Sequence, residues 1–325
     1  MSDLVSLAEI SAAAERIAGV AVRTPLVPFP GQPLLIKAES LQPTGSFKLR
    51  GAYSVISGLD AAARRRGVIA HSSGNHAAAV GYAAARLGVP AVLVIPANAP
   101  RSKLAAARAT GAEIVTVAPG LQPRIEAARR LVDEHGYTLV PPFDHPGIIA
   151  GQGTAGLEIT AGRPDADLVL VPVSGGGLIS GVAAAVKAAN PGAKVVGVEP
   201  ELAADARDSL RAGHRVAWTA EQTQRTIADA LRVEQIGELP FEHIRRYVDD
   251  IVTVSEEEIL ATVRTLATQA RLVAEPGGAV AVAAWLHRRD ELPRASTPVA
   301  VLSGGNVDPA MLAGILTGTV AAPAA

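Results

Sequence analysis

Cysteine does not occur among the 325 residues. Its absence excludes disulfides, thiolate catalysis and cysteine-ligated metal centres, and it fits a reducing compartment. An excess of one charge is missing too. The formal net charge is −1, which leaves no footprint for nucleic acid and no basic patch for a membrane surface. Aromatic residues amount to only 3%, and Ala, Val and Leu dominate the apolar residues. Long uncharged runs are scarce. The run from Leu168 to Val186 contains Pro172 and Gly175-Gly176-Gly177, so it reads as strand, loop and helix rather than a membrane span. The N-terminus lacks a basic flank followed by an apolar run. It reads as an amphipathic helix, not a signal peptide. Linkers, low-complexity tracts and strong repeats are absent. A soluble, cytoplasmic protein is expected.

What is present is alternation. The apolar runs GVIAH (67–71), AVLVIP (91–96) and AEIVTV (112–117) are each followed by a helical stretch ending in Gly88, Gly111 or Gly136. A left-handed C-terminal cap is expected at such glycines. The theme resumes with DLVLVPV (167–173), AKVVGVEP (193–200), IVTV (251–254) and PVAVLSGGN (298–306). Strands alternating with helices of this length mean crossover units and a parallel sheet. The length suits one large or two ordinary domains. The expected fold class is α/β, with two open parallel sheets and a cleft between them. Residues from about 201 to 250 are the least regular.

Four places carry chemistry. In SFKLRGAYS (46–54), a helix puts Lys48 on one face with Ala52, Val55, Ile56 and Leu59. That apolar stripe faces the core. Arg50 falls off the stripe and is expected to reach water. Lys48 is either a snorkelling lysine with its head at the surface or a desolvated amine able to form a Schiff base. Ser174-Gly175-Gly176-Gly177 stands between a buried strand and a helix, as a phosphate cradle does; a tight turn is the plainer reading. Walker and dinucleotide signatures do not fit it. Ser72-Ser73-Gly74-Asn75-His76 also joins strand to helix, and suits either a carboxylate or ordinary N-capping. Ser303, in LSGGN, ends the last strong strand, where open α/β sheets bind ligands; a turn serine is the alternative. A reactive lysine with a phosphate cradle and a carboxylate cradle together suggests pyridoxal phosphate acting on an amino acid.

The set PTGSFKLRGA (43–52), HSSGNHAAAVGYAA (71–84), PPFDHPGIIAGQGTAGLEI (141–159), VPVSGGGLISG (171–181), GVEP (197–200), TIADA (226–230) and LSGGNVD (302–308) resembles the fold-type II pyridoxal-phosphate enzymes. The similar branch holds serine/threonine dehydratases, serine racemases and threo-3-hydroxyaspartate dehydratases. The resemblance implies a tryptophan synthase beta-like fold, with a large cofactor domain of residues 1–60 and 147–325 and a small domain of residues 61–146. It implies that Lys48 carries the cofactor covalently and later takes the Cα proton, and that Phe47 packs on the ring. Asn75 would bond the phenolic oxygen, and Ser174, Gly175, Gly176, Gly177 and Leu178 the phosphate. Ser303 would meet the pyridine nitrogen. Ser72, Ser73, Asn75 and His76 would hold the substrate carboxylate. Glu199, the Ala203 carbonyl and Asp205 match the spacing of a Mg²⁺ or Ca²⁺ site. A homodimer is implied, without the regulatory domain of biosynthetic threonine dehydratases, which suggests a catabolic or specialised role.

The resemblance also ranks activities. A lyase that converts a β-hydroxy amino acid to a 2-oxo acid and ammonia comes first. A serine racemase comes second, because Ser73 resembles the racemase's second base. A threo-3-hydroxyaspartate dehydratase is a further alternative, and a nucleotide-binding module would leave Lys48 unexplained. Phe143 is dehydratase-like. Ala78 stands where a glutamine is common, and Ala230 where a glycine is usual. Arg124 is either a contact for a second carboxylate or hydroxyl, or a solvated helix arginine.

Overall fold

The structure is a computed structural model that describes residues 4–72 and 74–323. The strands, in chain order, are β1 (Leu26–Pro28), β2 (Leu35–Ala38), β3 (Val68–Ala70), β4 (Ala91–Pro96), β5 (Glu113–Val117), β6 (Thr138–Leu139), β7 (Leu168–Pro172), β8 (Lys194–Pro200), β9 (Asp250–Val254) and β10 (Pro298–Leu302). They form two sheets, a six-stranded one ordered β1-β2-β10-β7-β8-β9 and a four-stranded one ordered β5-β4-β3-β6. Pairing is parallel throughout except between β1 and β2. The fold is thus two parallel-sheet α/β domains. The four-stranded sheet takes its strands only from residues 68–139.

The first seven helices are α1 (Leu7–Ile17), α2 (Lys48–Ser57), α3 (Ala61–Arg66), α4 (Asn75–Leu87), α5 (Arg101–Ala109), α6 (Leu121–His135) and α7 (Pro146–Gly162). The remaining seven are α8 (Gly177–Ala189), α9 (Asp205–Ala212), α10 (Ala220–Thr223), α11 (Glu238–Tyr247), α12 (Glu256–Thr265), α13 (Pro276–His287) and α14 (Pro309–Thr317). Gly88 and Gly136 cap α4 and α6 in the left-handed conformation. Gly111 follows α5 with φ +79°. The central strands β7 and β10 are buried along their whole length, as parallel strands covered on both faces must be.

Sheet order fixes where a ligand can sit. β7 and β10 are neighbours, yet β7 leads to β8 on one side while β10 pairs with β2 on the other. Their carboxyl ends flank a point where the chain winds in opposite senses, the place where open sheets bind ligands. β3 has the same standing in the smaller sheet, between β4 and β6.

Helix α7 carries five glycines (147, 151, 153, 156 and 162), although glycine is a poor helix former. Packing explains them. A Cβ on Gly151 would lie 2.6 Å from the Cα of Gly51 and 2.7 Å from the Arg50 carbonyl oxygen, both on α2. A Cβ on Gly156 would lie 2.8 Å from the Val182 carbonyl oxygen on α8. The α7 backbone is therefore pressed directly against α2 and α8, the helices that begin at Lys48 and at Gly177.

The expectation for Arg50 fails. Its side chain is 0% exposed. Nε donates to Glu39 Oε2 at 2.8 Å, Nη1 to Glu158 Oε1 at 2.7 Å and to Thr154 Oγ1 at 3.0 Å, and Nη2 to Glu39 Oε1 at 2.8 Å. Lys37, also buried, bonds Glu158 at 2.5 Å. Burial works against the Arg50 charge, and the Glu39 carboxylate outweighs it, so its pKa is raised. A lone charge is not buried, but a paired and hydrogen-bonded one is.

Candidate active site

Lys48 opens α2 at the cleft. Its Nζ donates to the Pro142 carbonyl oxygen at 2.7 Å and lies 5.1 Å from the centroid of the Phe47 ring. The side chain is half-buried, but the amine itself is walled in by protein. Burial lowers its pKa to about 8. The loop before it is pinned to the end of β10: the Phe47 N–H donates to the Ser303 carbonyl at 3.0 Å, and Ser46 bridges Gly304. Ser303 itself is 5% exposed.

Ser174 to Gly177 follow β7. Gly176 has φ +88° and caps α8. The Ser174 Oγ is buried with no hydrogen-bond partner. The glycine run has a packing cause as well. A Cβ on Gly175 would strike the Phe143 ring, one on Gly176 would lie 2.7 Å from Pro240 Cβ, and one on Gly177 3.0 Å from Phe143 Cα. The segment 142–144 thus touches both sides of the site. Pro142 holds the lysine amine, Phe143 covers the glycine loop, and Asp144 caps α11 by accepting from the Glu238 N–H at 2.9 Å.

Asn75 and His76 begin α4, at the end of β3. His76 Nε2 lies 2.8 Å from the Val140 carbonyl oxygen. Burial first, and the Lys48 charge second, push its pKa down to about 3, so it is neutral at physiological pH. The Ser72 Oγ accepts from the Gly74 N–H at 3.4 Å. Ser73 lies outside the described residues. The first N–H groups of a helix have no intrahelical partner, so the α4 start suits an anion. Leu178 is on the first turn of α8 and is buried.

Three further residues face this region and were not legible in the sequence. His71 follows β3, and its Nδ1 is buried with no partner. Glu275, 3% exposed, accepts a bond from Asn75 Nδ2 at 2.6 Å. Asn306 Nδ2 donates to Asn75 Oδ1 at 2.7 Å. An acid ahead of Pro276-Gly277-Gly278 reads as an ordinary helix cap, so only the fold brings Glu275 to Asn75. A cavity of about 990 Å³ adjoins this region at Asn75, and its lining does not include Phe47, Lys48, Ser174 to Leu178 or Ser303. Asn75, Ala78 and Lys103 line it on one side, and Asp229, Glu275 and Asn306 on the other. Lys103 and Asp229 pair across it. Ala230 is exposed beside Gly277. Arg124 is half-buried, with Nε donating to the Gly120 carbonyl oxygen at 2.9 Å.

The profile of one family, "Pyridoxal-phosphate dependent enzyme", matches residues 17–304. The chain belongs to the pyridoxal-phosphate dependent enzymes. The L-threo-3-hydroxyaspartate ammonia-lyase of Saccharomyces cerevisiae is 41% identical over 89% of this chain and 87% of its own. Among solved structures, the T.th. threonine deaminase is 48% identical, with a TM-score of 0.88 over 93% of this chain and 99% of that one. Maize serine racemase is 36% identical, with a TM-score of 0.90 over 98% of both chains.

The site fits the cofactor of this pyridoxal-phosphate family. An unpartnered Ser174 hydroxyl at a helix N-terminus suits its phosphate. A desolvated lysine suits its aldehyde.

Away from the cleft, the Glu199 carboxylate accepts the Ala206 and Arg207 N–H groups at 3.1 and 2.8 Å. Asp205 is 0% exposed, and no side chain among the described residues bonds its carboxylate. Burial raises the pKa of both acids, and Asp205 adds to the rise on Glu199. Two unneutralised buried carboxylates suit a hard cation with oxygen ligands. Among the described residues no cluster of three or more His, Cys, Asp or Glu forms a metal site. Among the described residues no helix is long and apolar enough to cross a membrane.

Proposed function

We propose that this chain is an ammonia-lyase that converts a β-hydroxy amino acid of the L-threonine or L-serine type to a 2-oxo acid and ammonia. The observation that carries the reading is Lys48. Its amine, with a pKa of about 8, is tied through Pro142 and Phe143 to the glycine loop, and its own loop is tied through Phe47 to Ser303. Bound there, pyridoxal phosphate supplies the electron sink that makes the substrate Cα proton acidic.

Ser174, the backbone of Gly175 to Gly177 and the Leu178 N–H would hold the phosphate, Phe47 would pack on the ring, Asn75 would bond its oxygen, and Ser303 would meet its nitrogen. A hydroxyl there, unlike a carboxylate, would not force protonation and would favour elimination over transamination. Ser72, Ser73, Asn75 and His76 hold the substrate carboxylate through N–H groups. Lys48, in its neutral form, removes the Cα proton. The β-hydroxyl departs as water with the proton that Lys48 took from Cα, and a second water hydrolyses the released enamine, after its tautomerisation to an imine, to the 2-oxo acid and ammonia.

Residues 61–146 form the small domain, and residues 1–60 and 147–325 the large one. Glu199, the Ala203 carbonyl and Asp205 would hold Mg²⁺ or Ca²⁺, which would order one wall of the large domain. The enzyme is a cytoplasmic homodimer. Ser73 favours a second reading, a serine racemase in which Ser73 reprotonates Cα from the opposite face. Half-buried Arg124, within electrostatic reach of His71, favours a dicarboxylate substrate such as 3-hydroxyaspartate.

The test is a partition assay with L-serine, L-threonine and 3-hydroxyaspartate, in pyridoxal phosphate and Mg²⁺. Oxo acid in large excess over the D-amino acid supports the lyase. D-serine at equal or greater yield than pyruvate would replace it with the racemase.

A further inference from the structure

The amide of Asn75 has its orientation fixed by two partners on opposite sides. Asn306 spends both Nδ2 hydrogens as a donor, one on the Thr44 carbonyl oxygen at 2.8 Å and one on Asn75 Oδ1 at 2.7 Å. An amide nitrogen has no further hydrogen and accepts none. The Asn75 atom facing Asn306 must therefore be its oxygen. On the other side stands the Glu275 carboxylate, an acceptor only when ionised, at 2.6 Å from Asn75 Nδ2. The two partners hold this orientation together: Asn306 sets it, and Glu275 locks it when ionised, burial having raised its pKa to about 7. With Oδ1 engaged and one Nδ2 hydrogen on Glu275, Asn75 keeps a single free donor hydrogen.

The two partners are themselves held. Asn306 is clamped against the loop that leads to Lys48, where a side chain on Gly45 would collide with it and Gly45 has φ +72°. The Glu275 N–H donates to the Gly304 carbonyl at 3.1 Å, and a Cβ on Gly304 would fall on Glu275 Oε1. Ala78, lining the same cavity, has no polar atom to compete for either group.

We infer that Glu275 and Asn306 are positioning residues that force Asn75 to present an N–H donor, and not its carbonyl, to the cofactor's phenolic oxygen. The inference rests on the pyridoxal-phosphate reading above. A donor there favours the ionised phenolic oxygen and strengthens the grip on the cofactor, whereas a carbonyl would face it oxygen to oxygen. Asn306→Asp reverses the geometry. A second carboxylate would draw the remaining Nδ2 hydrogen away from the cofactor.

The experiment titrates apo-enzyme with pyridoxal phosphate. It records both the dissociation constant and the visible absorption band, for wild type, Glu275→Leu, Glu275→Gln, Asn306→Asp and Asn75→Ala. Circular dichroism confirms folding. Glu275→Gln keeps an acceptor and should keep the wild-type band. Glu275→Leu and Asn306→Asp should shift the band to shorter wavelength and weaken binding by roughly tenfold, the scale of one charge-assisted hydrogen bond. Neither substitution should add to Asn75→Ala when combined with it. Should Glu275→Leu fail to fold, Asn306→Asp carries the test alone. Unchanged bands in both variants, or shifts that persist in full on the Asn75→Ala background, would overturn the inference. A wild type that forms no visible band would overturn the pyridoxal-phosphate reading instead.

Discussion

Replacing Gly151 by alanine should disable the enzyme from a distance. The added Cβ would stand 2.6 Å from Gly51 Cα, 2.7 Å from the Arg50 carbonyl oxygen and 2.9 Å from the Gly51 nitrogen. All three are backbone atoms of α2 and cannot rotate away. Carbon pairs prefer about 3.5–4.0 Å, so α2 must move off α7 by about 1 Å. Overpacking of this kind costs about 1–3 kcal/mol, and the upper end applies because no flexible atom yields. In a chain of this size about 3 kcal/mol lowers Tm by roughly 6 °C. Helix α2 begins at Lys48, so the amine moves with it, and a displacement of about 1 Å can cost ~100-fold in rate. Calorimetry of the apo-enzyme and single-turnover kinetics would measure the two effects. Gly192→Ala is the control, because its Cβ would meet nothing closer than Asn190 Oδ1 at 3.5 Å. If Gly151→Ala matched wild type in both Tm and rate, the claim that glycine contacts position Lys48 would fail.

Other outcomes follow from the same geometry. Lys48→Ala should remove the base and lower turnover by at least about 10²–10⁴-fold. Cofactor capture by wild-type apo-enzyme should quicken as pH rises through about 8, because burial lowers the Lys48 pKa to that value and only the neutral amine attacks. A rate that keeps rising toward the ordinary lysine pKa would contradict this. Arg50→Ala leaves Glu39 buried without its main cation and should cost about 3–5 kcal/mol, read by urea unfolding. Asp205 has its pKa raised to about 7 by burial. The folded state then binds more protons than the unfolded one, so this contribution to stability is present at low pH and is lost as pH rises toward 7. Mg²⁺ or Ca²⁺ should offset the loss. The cation-induced rise in Tm should be larger at pH 8 than at pH 5 and should vanish in Asp205→Asn.

The strands and the lysine were legible because their signals are local. Buried parallel strands such as 167–173 read as unbroken apolar runs, and Lys48 stands out on an apolar face only four residues from Ala52. β1, β2 and β6, of three, four and two residues, are too short for periodicity to register. Helix α7 was hidden by its glycines, whose cause lies on α2 and α8. Arg50 was misread because one acid that neutralises it, Glu158, comes from a helix 108 residues away. Glu275 reaches Asn75 across 200 residues. In each case the missing information was a distant partner. Ionic and amide networks are assembled by topology, while periodicity reports only the nearest turn.

The most direct test of the account is reduction with borohydride followed by peptide mapping. Wild-type enzyme loaded with pyridoxal phosphate should carry one reduced cofactor, on the peptide containing Lys48, and Lys48→Ala should carry none. Cofactor fixed on a different lysine, or full turnover by Lys48→Ala, would contradict the account.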